Sequence, residues 1–235
     1  MQIPDSNKRP SRCSILLTGG AGFLGRAIVN ELLSADSPVD FSLLRIFDVK
    51  TFDGPFDSRI ETVIGDIRDE NAVFQACQGI DVVIHSAAVV DWGTRPEEEV
   101  YAVNYTGTEH VVKACLTNGV KHLIYTSSLD AIYAGKSLVD IDESIPYPAK
   151  QPNMYCRSKQ MAEKLVLESN FFAILIRPVK KYNPKFSRFA VLYTCNDFTF
   201  TSAKAANDFG FVPKYSKEEA FELTAGYYRG SDRTA

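Results

Sequence analysis

The stretch "CSILLTGGAGFLGRAIVNELL", residues 13–33, decides how the chain begins to fold. It opens with a short apolar run at 13–19, passes through a glycine-rich turn, and continues as an amphipathic helical pattern over 23–34. A glycine turn between a strand and a helix lets backbone amides approach a phosphate group, because no side chain stands in the way. The stretch therefore predicts the first strand, turn and helix of a dinucleotide-binding domain.

The glycines of this turn follow a recognisable spacing. Gly20, Gly22 and Gly25 form the pattern Gly-x-Gly-x-x-Gly, and Gly19 extends it at its start. We expect the pyrophosphate of the dinucleotide to lie against the turn and the beginning of the helix, which are formed by Gly19, Gly20, Gly22, Phe23, Leu24 and Gly25. The alternative is a turn that only packs the helix against the sheet.

An acidic residue at the end of the second apolar run indicates which dinucleotide binds. The carboxylate of Asp48 can accept hydrogen bonds from the adenosine ribose and repels a ribose 2′-phosphate, so NAD is favoured over NADP. Arg45 and Lys50 lie nearby, and a basic side chain could offset that repulsion. Asp66 and Ile67 are expected to contact the adenine, although a turn or helix-capping role for Asp66 fits equally.

Six apolar runs alternate with helical patterns along most of the chain. The runs, which we expect to be strands, occupy residues 13–19, 43–49, 60–66, 81–87, 122–128 and 172–178. The helical patterns occupy residues 23–34, 69–77, 96–118 and 153–170. Continuously apolar runs predict strands that are buried on both faces, as in a parallel sheet covered by helices. We therefore predict an α/β fold with a doubly wound, Rossmann-like parallel sheet and a short C-terminal helical appendage.

Composition excludes several classes of function. The chain has 235 residues, 45% hydrophobic and 23% charged, with a net charge of −3, so a nucleic-acid partner is not expected. Five cysteines and three histidines are scattered without metal-ligand spacing, which predicts no metal site. The N-terminus lacks the apolar core of a signal peptide, and no run approaches the roughly 18 apolar residues of a membrane span. These features predict a cytoplasmic protein.

The segment "YCRSK", residues 155–159, suggests proton-transfer chemistry. Tyr155 and Lys159 are four residues apart in a helical pattern, so both side chains project from one helix face. A nearby ammonium group would stabilise the phenolate and lower the pKa of the phenol. The spacing also occurs on ordinary amphipathic helices. A catalytic pair is favoured because the helix follows a strand that ends with Ser127 and Ser128, where α/β sheets bind ligands.

These motifs, taken in order, resemble a known family. The segments "TGGAGFLG", "GDIRD", "HSAAVVDW", "VNYTGT", "YTSS" and "YCRSK" are similar to those of extended short-chain dehydrogenases/reductases, over residues 13–179. "LLRIFDV", "YTSSLDAIYAG" and the C-terminal "NDFTFTSAKAANDFGFVPKYSKEEAF" resemble the 3β-hydroxysteroid dehydrogenase/Δ5-isomerase branch. The resemblance implies NAD-dependent oxidation of a 3β-hydroxysteroid or sterol to the 3-ketosteroid. The acid/base pair that a Δ5 isomerisation would need is not located.

The resemblance also implies roles for individual residues. Tyr155 would accept the hydroxyl proton while hydride passes to the nicotinamide, and Lys159 would support the phenolate and bind the ribose. Ser128 rather than Ser127 would contact the substrate oxygen. Asn104 matches a helix asparagine that supports a proton relay in relatives. The backbone of two alanines and a proline would line the cofactor cleft: Ala87, Ala88 and Pro178.

The chain departs from the family pattern after its last apolar run. Relatives continue with a segment that supplies another strand, the substrate pocket and, in many members, a membrane-associated stretch. Here "KKYNPKFSRFAVLYT", residues 180–194, leads almost at once into the closing segment. We therefore divide the chain into a flexible N-terminus at 1–12, an NAD-binding domain with the catalytic pair at 13–179, and a shortened remnant of the substrate lobe at 180–235. Two helices are expected in that remnant, the second capped by Ser216 and Glu219.

Three interpretations remain open. The chain is a working dehydrogenase with a small substrate site, or a shortened isoform that binds NAD without turnover. A sugar-nucleotide epimerase or flavonol-type reductase of the same superfamily is less favoured, because those enzymes also need the missing lobe. A steroid or sterol is the expected small-molecule partner. An apolar face exposed by the missing lobe would favour a homodimer, and the membrane-associated relatives leave a peripheral position at the endoplasmic reticulum membrane open.

Overall fold

The computed structural model describes most of the predicted nucleotide-binding domain and part of the C-terminal segment. The described residues are 12–142, 144–169, 173–176, 198–216 and 218–223. They belong to two compact units, one containing 12–136 and 146–176, the other containing 137–145 and 198–223. Pro178, nearly all of the predicted flexible N-terminus and the basic segment at 180–194 lie outside the described residues.

The first unit is built on a sheet of six parallel strands. These are β1 (Cys13–Thr18), β2 (Phe41–Asp48), β3 (Ile60–Ile64), β4 (Val82–His85), β5 (His122–Thr126) and β7 (Ala173–Ile176). Their order across the sheet is β3-β2-β1-β4-β5-β7, and every neighbouring pair is parallel. The strand order reverses between β1 and β4, which is where doubly wound sheets open a crevice for ligands. The predicted fold class is confirmed.

Five α-helices belong to this unit. They are α1 (Phe23–Leu33), α2 (Glu70–Ala76), α3 (Glu97–Tyr101), α4 (Gly107–Asn118) and α5 (Met154–Glu168). Asp69 begins α2 by accepting hydrogen bonds from two backbone amides, and Asn153 begins α5 by accepting one from Cys156 N. Gly119 ends α4 in the left-handed conformation, with a φ of 68°, which glycine adopts without steric cost.

The core has two layers, one on each face of the sheet. Leu16 belongs to the cluster under α2, α4 and α5, whereas its neighbours Ile15 and Leu17 belong to the cluster on the opposite face, with Val29 of α1. The central strands are therefore buried on both faces, as their apolar runs predict. The expectation is wrong for β3, whose Ile64 is 66% exposed, because β3 lies at the edge of the sheet and has a neighbour on one side only.

The segment predicted as one helix over 96–118 contains an irregularity that the sequence pattern does not predict. A five-residue π-helix, Ala102–Thr106, separates α3 from α4. Insertions of this kind occur often at functional sites, and this one carries Asn104. A short 3-10 helix, Leu129–Ala131, after β5 is likewise absent from the prediction.

The second unit contains a small sheet and helices. Strands β6 (Leu138–Ile141) and β8 (Phe198–Phe200) pair in parallel, which the sequence did not predict because each is very short. Helix α6 (Ala203–Phe209) follows, and residues 218–223 are helical. The predicted capping box is confirmed, since Ser216 N donates to Glu219 Oε2 over 2.7 Å and Glu219 N donates to Ser216 Oγ over 3.2 Å. Within the described ranges, every helix is too short or too polar to cross a bilayer.

Candidate functional site

The glycine turn between β1 and α1 leaves no room for side chains. Gly19 has a φ of +74°, and a Cβ added to it would lie 2.8 Å from the backbone of Ala87. A Cβ on Gly20 would lie 2.5 Å from the side chain of Ile46, and one on Gly25 would meet the carbonyl oxygen of Gly19. Each close approach packs backbone against its neighbours, so the turn is held in one shape at the carboxyl end of β1.

The first turn of α1 has no side-chain cap. Gly22 is the residue that precedes the helix, and its position supplies no side-chain hydrogen bond to the helix amides. The helix starts with Phe23 and Leu24, and its N-terminus carries the positive end of the helix dipole. Amides of a first turn need an acceptor, and a phosphate is a suitable one. The contact of the pyrophosphate with this turn stays a prediction.

Asp48 lies directly beside this turn. Its Oδ2 atom accepts a hydrogen bond from Ala21 N over 2.9 Å, and its Oδ1 atom accepts one from Lys50 N over 3.0 Å. The guanidinium group of Arg45 points elsewhere, since it pairs with Glu61 over 3.0 Å and donates to two backbone carbonyls at the end of α2. Arg45 is therefore held away from the Asp48 carboxylate, whose repulsion of a ribose 2′-phosphate a nearby basic side chain could offset.

Asp66 and Ile67, the predicted adenine contacts, follow β3. Asp66 accepts hydrogen bonds from the backbone amide and the guanidinium group of Arg68, each over 2.9 Å. This hydrogen bonding lowers the pKa of the Asp66 carboxyl. The side chain of Ile67 is buried against Gly107 at the start of α4. Asp66 thus has the turn role, which was one of its two alternatives. The residue that caps α2 is Asp69. The contact with adenine stays a prediction.

The segment after β4 forms the other wall of the crevice. Ala87 packs against Gly19, and its backbone amide donates to Thr18 Oγ1 over 3.2 Å. Ala88 is exposed. The carboxyl ends of β1 and β4 are therefore joined at the point where the strand order reverses, which is the position expected for residues that line a cofactor cleft.

Asn104 ties this wall to α5. Its Oδ1 atom accepts from Val89 N and its Nδ2 atom donates to Val89 O, both over 2.9 Å. Nδ2 also donates to Ser158 Oγ over 3.2 Å, and the residue is buried. The side chain therefore braces the loop after β4 against the helix that carries Tyr155. A part in a proton relay stays a prediction.

Tyr155 and Ser128 lie together at the carboxyl end of β5. The Ser128 hydroxyl donates to Asp130 Oδ2 over 2.7 Å, and both Tyr155 and Ser128 are buried. Burial raises the pKa of the Tyr155 phenol, the charge of Asp130 raises it further, and hydrogen bonding with Ser128 lowers it. Ser127, the other candidate, instead donates to the buried carboxylate of Glu163. The structure therefore brings Ser128, and not Ser127, to the phenol.

Lys159 lies one helical turn beyond Tyr155 and is also buried. Its ammonium group donates to Thr126 O over 2.9 Å and sits 4.6 Å from the centre of the Tyr125 ring. Burial lowers the pKa of Lys159 to about 8, against the charges of Glu163 and Asp130, which raise it. In the described structure the ammonium is thus bound to the end of β5, and the pKa of the phenol is raised, not lowered as the helix spacing predicts.

Two buried acids at this site were missed from the sequence. Asp130 follows Ser128 by two residues, and Glu163 follows Lys159 by four on the same face of α5. Glu163 accepts hydrogen bonds from Ser127 Oγ and, over 2.6 Å, from the Tyr147 hydroxyl. The regular spacing of Tyr155, Lys159 and Glu163 was a signal that could have identified the second acid, because residues four apart share a helix face.

The chain is similar in sequence to proteins of one known family. The model of the 3-beta hydroxysteroid dehydrogenase/isomerase family matches residues 16–191. A 3 beta-hydroxysteroid dehydrogenase/Delta 5-->4-isomerase of monkeypox virus is 38% identical over 166 residues, which are 68% of this chain and 47% of the viral protein. A decarboxylating sterol-4-alpha-carboxylate 3-dehydrogenase of Bos taurus is 32% identical over 183 residues, which are 75% of this chain and 48% of that protein. The chain spans about half the length of these curated relatives.

Solved structures show the same fold. A short-chain dehydrogenase/reductase superfamily protein from Agrobacterium tumefaciens, crystallised with bound NAD, is similar with a TM-score of 0.57 and 26% sequence identity. The similarity covers 70% of this chain and 48% of that protein.

Proposed function

Because the chain belongs to the 3-beta hydroxysteroid dehydrogenase/isomerase family, we propose that it binds NAD and oxidises the 3β-hydroxyl group of a steroid or sterol to a ketone. The observation that carries the proposal is the convergence of Ser128, Tyr155 and Lys159 at the carboxyl end of β5. The glycine turn ends β1 in the same parallel sheet, so the two sets of residues face the same edge.

The residues present fit NAD. A Cβ at Gly19, Gly20 or Gly25 would fill the turn, and no side chain caps the first turn of α1. The carboxylate of Asp48 is suited to the ribose hydroxyls and opposes a 2′-phosphate. The relative from Agrobacterium tumefaciens has the same fold and carries NAD. We assign the pyrophosphate to the glycine turn and the adenosine ribose to Asp48.

The chain's own residues divide the work of oxidation as follows. Ser128 holds the oxygen atom of the substrate hydroxyl, and Tyr155, as the phenolate, takes its proton. Burial disfavours the phenolate, so it needs a cation close by, and Lys159 is the buried cation on the same helix face. Asn104 keeps α5 and the loop after β4 in register through its bonds to Ser158 and Val89. When bound, the nicotinamide ring of NAD supplies the hydride acceptor.

The test has two parts, binding and turnover. Isothermal titration with NAD measures the first, and NADP serves as the comparison. NADH formation with a 3β-hydroxysteroid, compared with its 3α epimer, measures the second. We expect binding of NAD in preference to NADP, oxidation of the 3β epimer, and a loss of at least about 100-fold in turnover for Tyr155→Phe, the usual scale for a general base. No binding of NAD would overturn the proposal as a whole.

A second candidate is NAD binding without turnover. It is favoured by the length of the match, since the chain spans 47% of the viral relative and 48% of the bovine one. An apolar pocket must orient the carbinol for hydride transfer, and a misplacement of about 1 Å can reduce the rate about 100-fold. Binding of NAD together with no oxidation of any 3β-hydroxysteroid would select this candidate. A sugar-nucleotide substrate is disfavoured, because the curated relatives act on steroids or sterols by name.

The remaining parts of the proposal concern Δ5 isomerisation, assembly and location. Isomerisation is measured as the conjugated ketone formed from a Δ5 substrate. A homodimer is measured by sedimentation, and a peripheral position at the endoplasmic reticulum membrane by fractionation of cells. Each of these can fail without affecting NAD binding or alcohol oxidation.

A further inference from the structure

The carboxyl group of Asp130 is hydrogen-bonded to the Ser128 hydroxyl. Asp130 is in the 3-10 helix that follows β5, and it is 6% exposed. Ser128 Oγ donates to Asp130 Oδ2 over 2.7 Å, and Asp130 N donates back to Ser128 Oγ over 3.2 Å. The other carboxylate oxygen, Oδ1, accepts from the Sγ atom of Cys156 over 3.6 Å. Both oxygens of this buried acid therefore face residues next to the phenol.

We propose that Asp130 is a positioning residue that decides whether the Ser128 hydroxyl acts as a hydrogen-bond donor or as an acceptor toward Tyr155 and the substrate oxygen. The consequence for turnover rests on the proposed dehydrogenase function. The hydrogen-bonding claim itself stands on the two hydrogen bonds between Ser128 and Asp130.

The argument follows from what each protonation state can do. An ionised carboxylate only accepts hydrogen bonds, so it takes the hydrogen of Ser128 and leaves a serine lone pair for the cleft. That lone pair suits a neutral phenol or an alcohol. A protonated Asp130 can donate to Ser128 Oγ instead, which frees the serine hydrogen for a ketone or a phenolate oxygen. The neutral phenol and the phenolate of Tyr155 therefore need these opposite arrangements of Ser128.

The surroundings of Asp130 bring its titration closer to neutral pH than that of an exposed aspartate. Burial raises the pKa of Asp130, whereas hydrogen bonds from Ser128 and Cys156 and the charge of Lys159 lower it, and burial outweighs them. Among the described residues, the titratable groups that interact with it are on α5, namely Tyr155, Cys156 and Lys159. Burial therefore favours the protonated form of Asp130 at a higher pH than in an exposed aspartate.

Glu163 provides a matched comparison within the same turn. It is also a buried acid that accepts a hydrogen bond from a serine, but that serine is Ser127. Both charges raise the pKa of Lys159, but of the two acids only Asp130 is among the causes that raise the pKa of Tyr155. If any buried acid near this site were sufficient to shift the pKa of the Tyr155 phenol, changing Asp130 or Glu163 would affect that pKa in the same way.

The experiment follows both groups by NMR as the pH is varied. Protein labelled with 13C at the tyrosine ζ carbon and the aspartate γ carbon is titrated between about pH 3 and about pH 9, a range that brackets the carboxyl and imidazole pKa values. Tyr155→Phe and Asp130→Asn assign the two resonances. We expect the Asp130 carbon to titrate above the pH of exposed aspartates, and the Tyr155 carbon to show an inflection at the same pH. Asp130→Asn should remove that inflection, and Glu163→Gln should keep it.

Circular dichroism and the variant Ser128→Ala serve as controls for the titration. Asp130→Asn removes a buried charge and retains the size of the side chain, so it is expected to fold, which circular dichroism verifies. Ser128→Ala should raise the pKa of Asp130 further, because it removes a hydrogen bond to the carboxylate. An Asp130 that titrates like an exposed aspartate would overturn the proposal, and so would a Tyr155 resonance that ignores Asp130. These readouts need no turnover, so they stand even where the dehydrogenase function fails.

Where turnover is present, a second measurement applies. The rate of alcohol oxidation should change with pH through the Asp130 titration, beyond the change expected from the proton released in oxidation. Asp130→Asn should abolish that extra dependence. An unchanged pH profile in Asp130→Asn would overturn the positioning role.

Discussion

The glycine turn after β1 and the serine turn after β5 stand at the same edge of one sheet, yet they are made in different ways. The glycine turn is shaped by backbone contacts, such as that of Gly19 with Ala87. The serine turn is shaped by side chains that come from α5, with Lys159 on Thr126 and Glu163 on Ser127. A backbone site is specified by local sequence, whereas a side-chain site depends on a helix that arrives later in the chain.

The largest effect is expected in the glycine turn. Gly25→Val should weaken NAD binding by about 1,000-fold, or about 4 kcal/mol, because its Cβ would meet the backbone of Gly19 and Gly20, which cannot yield. Calorimetric titration measures the change. Ala27→Val is the matched control, since it adds a valine side chain at an exposed position of the same helix. Equal losses in both variants would show that backbone packing does not govern this turn.

In the serine turn, we expect stability to respond more than cofactor affinity. Glu163→Leu should lower the free energy of unfolding by about 3 kcal/mol, because it leaves the hydroxyl groups of Ser127 and Tyr147 without their acceptor. Glu163→Gln keeps an acceptor and should cost less. Urea denaturation gives the values. If Glu163→Leu were as stable as the parent protein, the side-chain account of this turn would be wrong.

His85 ends β4, the strand that lies between β1 and β5 in the sheet, and its effect depends on pH. The ring contacts Thr18 Oγ1 over 2.7 Å and Thr108 Oγ1 over 3.0 Å, and burial lowers the pKa of His85 to about 3. Below pH 6.5 the unfolded chain gains a proton that the folded protein excludes, so stability falls as the pH decreases toward 3. The loss from this residue between pH 7 and pH 5 should be about 2 kcal/mol.

Denaturation at the two pH values tests this contribution. His85→Gln should show a smaller loss than the parent protein, whereas the exposed His122→Gln should show the same loss. A parent protein and His85→Gln with identical pH dependence would contradict the prediction.

The smallest effect is expected from one hydroxyl group of the serine turn. Tyr147→Phe removes the 2.6 Å hydrogen bond to Glu163 but keeps the ring that lies beneath Lys164. The free energy of unfolding should fall by about 1 kcal/mol. A loss as large as that of Glu163→Leu would mean that the ring, and not the carboxylate, organises this region.

The contrast between the glycine turn and the serine turn also explains which features could be predicted from the sequence. The order of strands and helices, the glycine turn and the position of Asp48 beside it depend on local patterns, and the structure has them where we expected. The capping box of Ser216 and Glu219 is another local pattern, and it is confirmed. The edge position of β3 is not local, because it depends on which strands find neighbours.

The contacts of the catalytic helix depend on tertiary packing, and the sequence did not reveal them. Spacing placed Tyr155 and Lys159 on one face of α5, but it could not show that the ammonium binds Thr126 O. Nor could it distinguish the partners of the two serines, because one of them, Glu163, reaches the end of β5 only through the packing of α5. The π-helix that carries Asn104 also depends on partners that are distant in sequence, namely Val89 and Ser158.

The fixed position of Arg45 bears on attempts to change the cofactor. Replacing Asp48 alone would remove the repulsion of a 2′-phosphate, but it would also release Ala21 N from its acceptor. The nearby guanidinium group is already engaged by Glu61 and by the end of α2. An engineered preference for NADP would therefore require a newly introduced cation together with a replacement for the lost anchor of the loop.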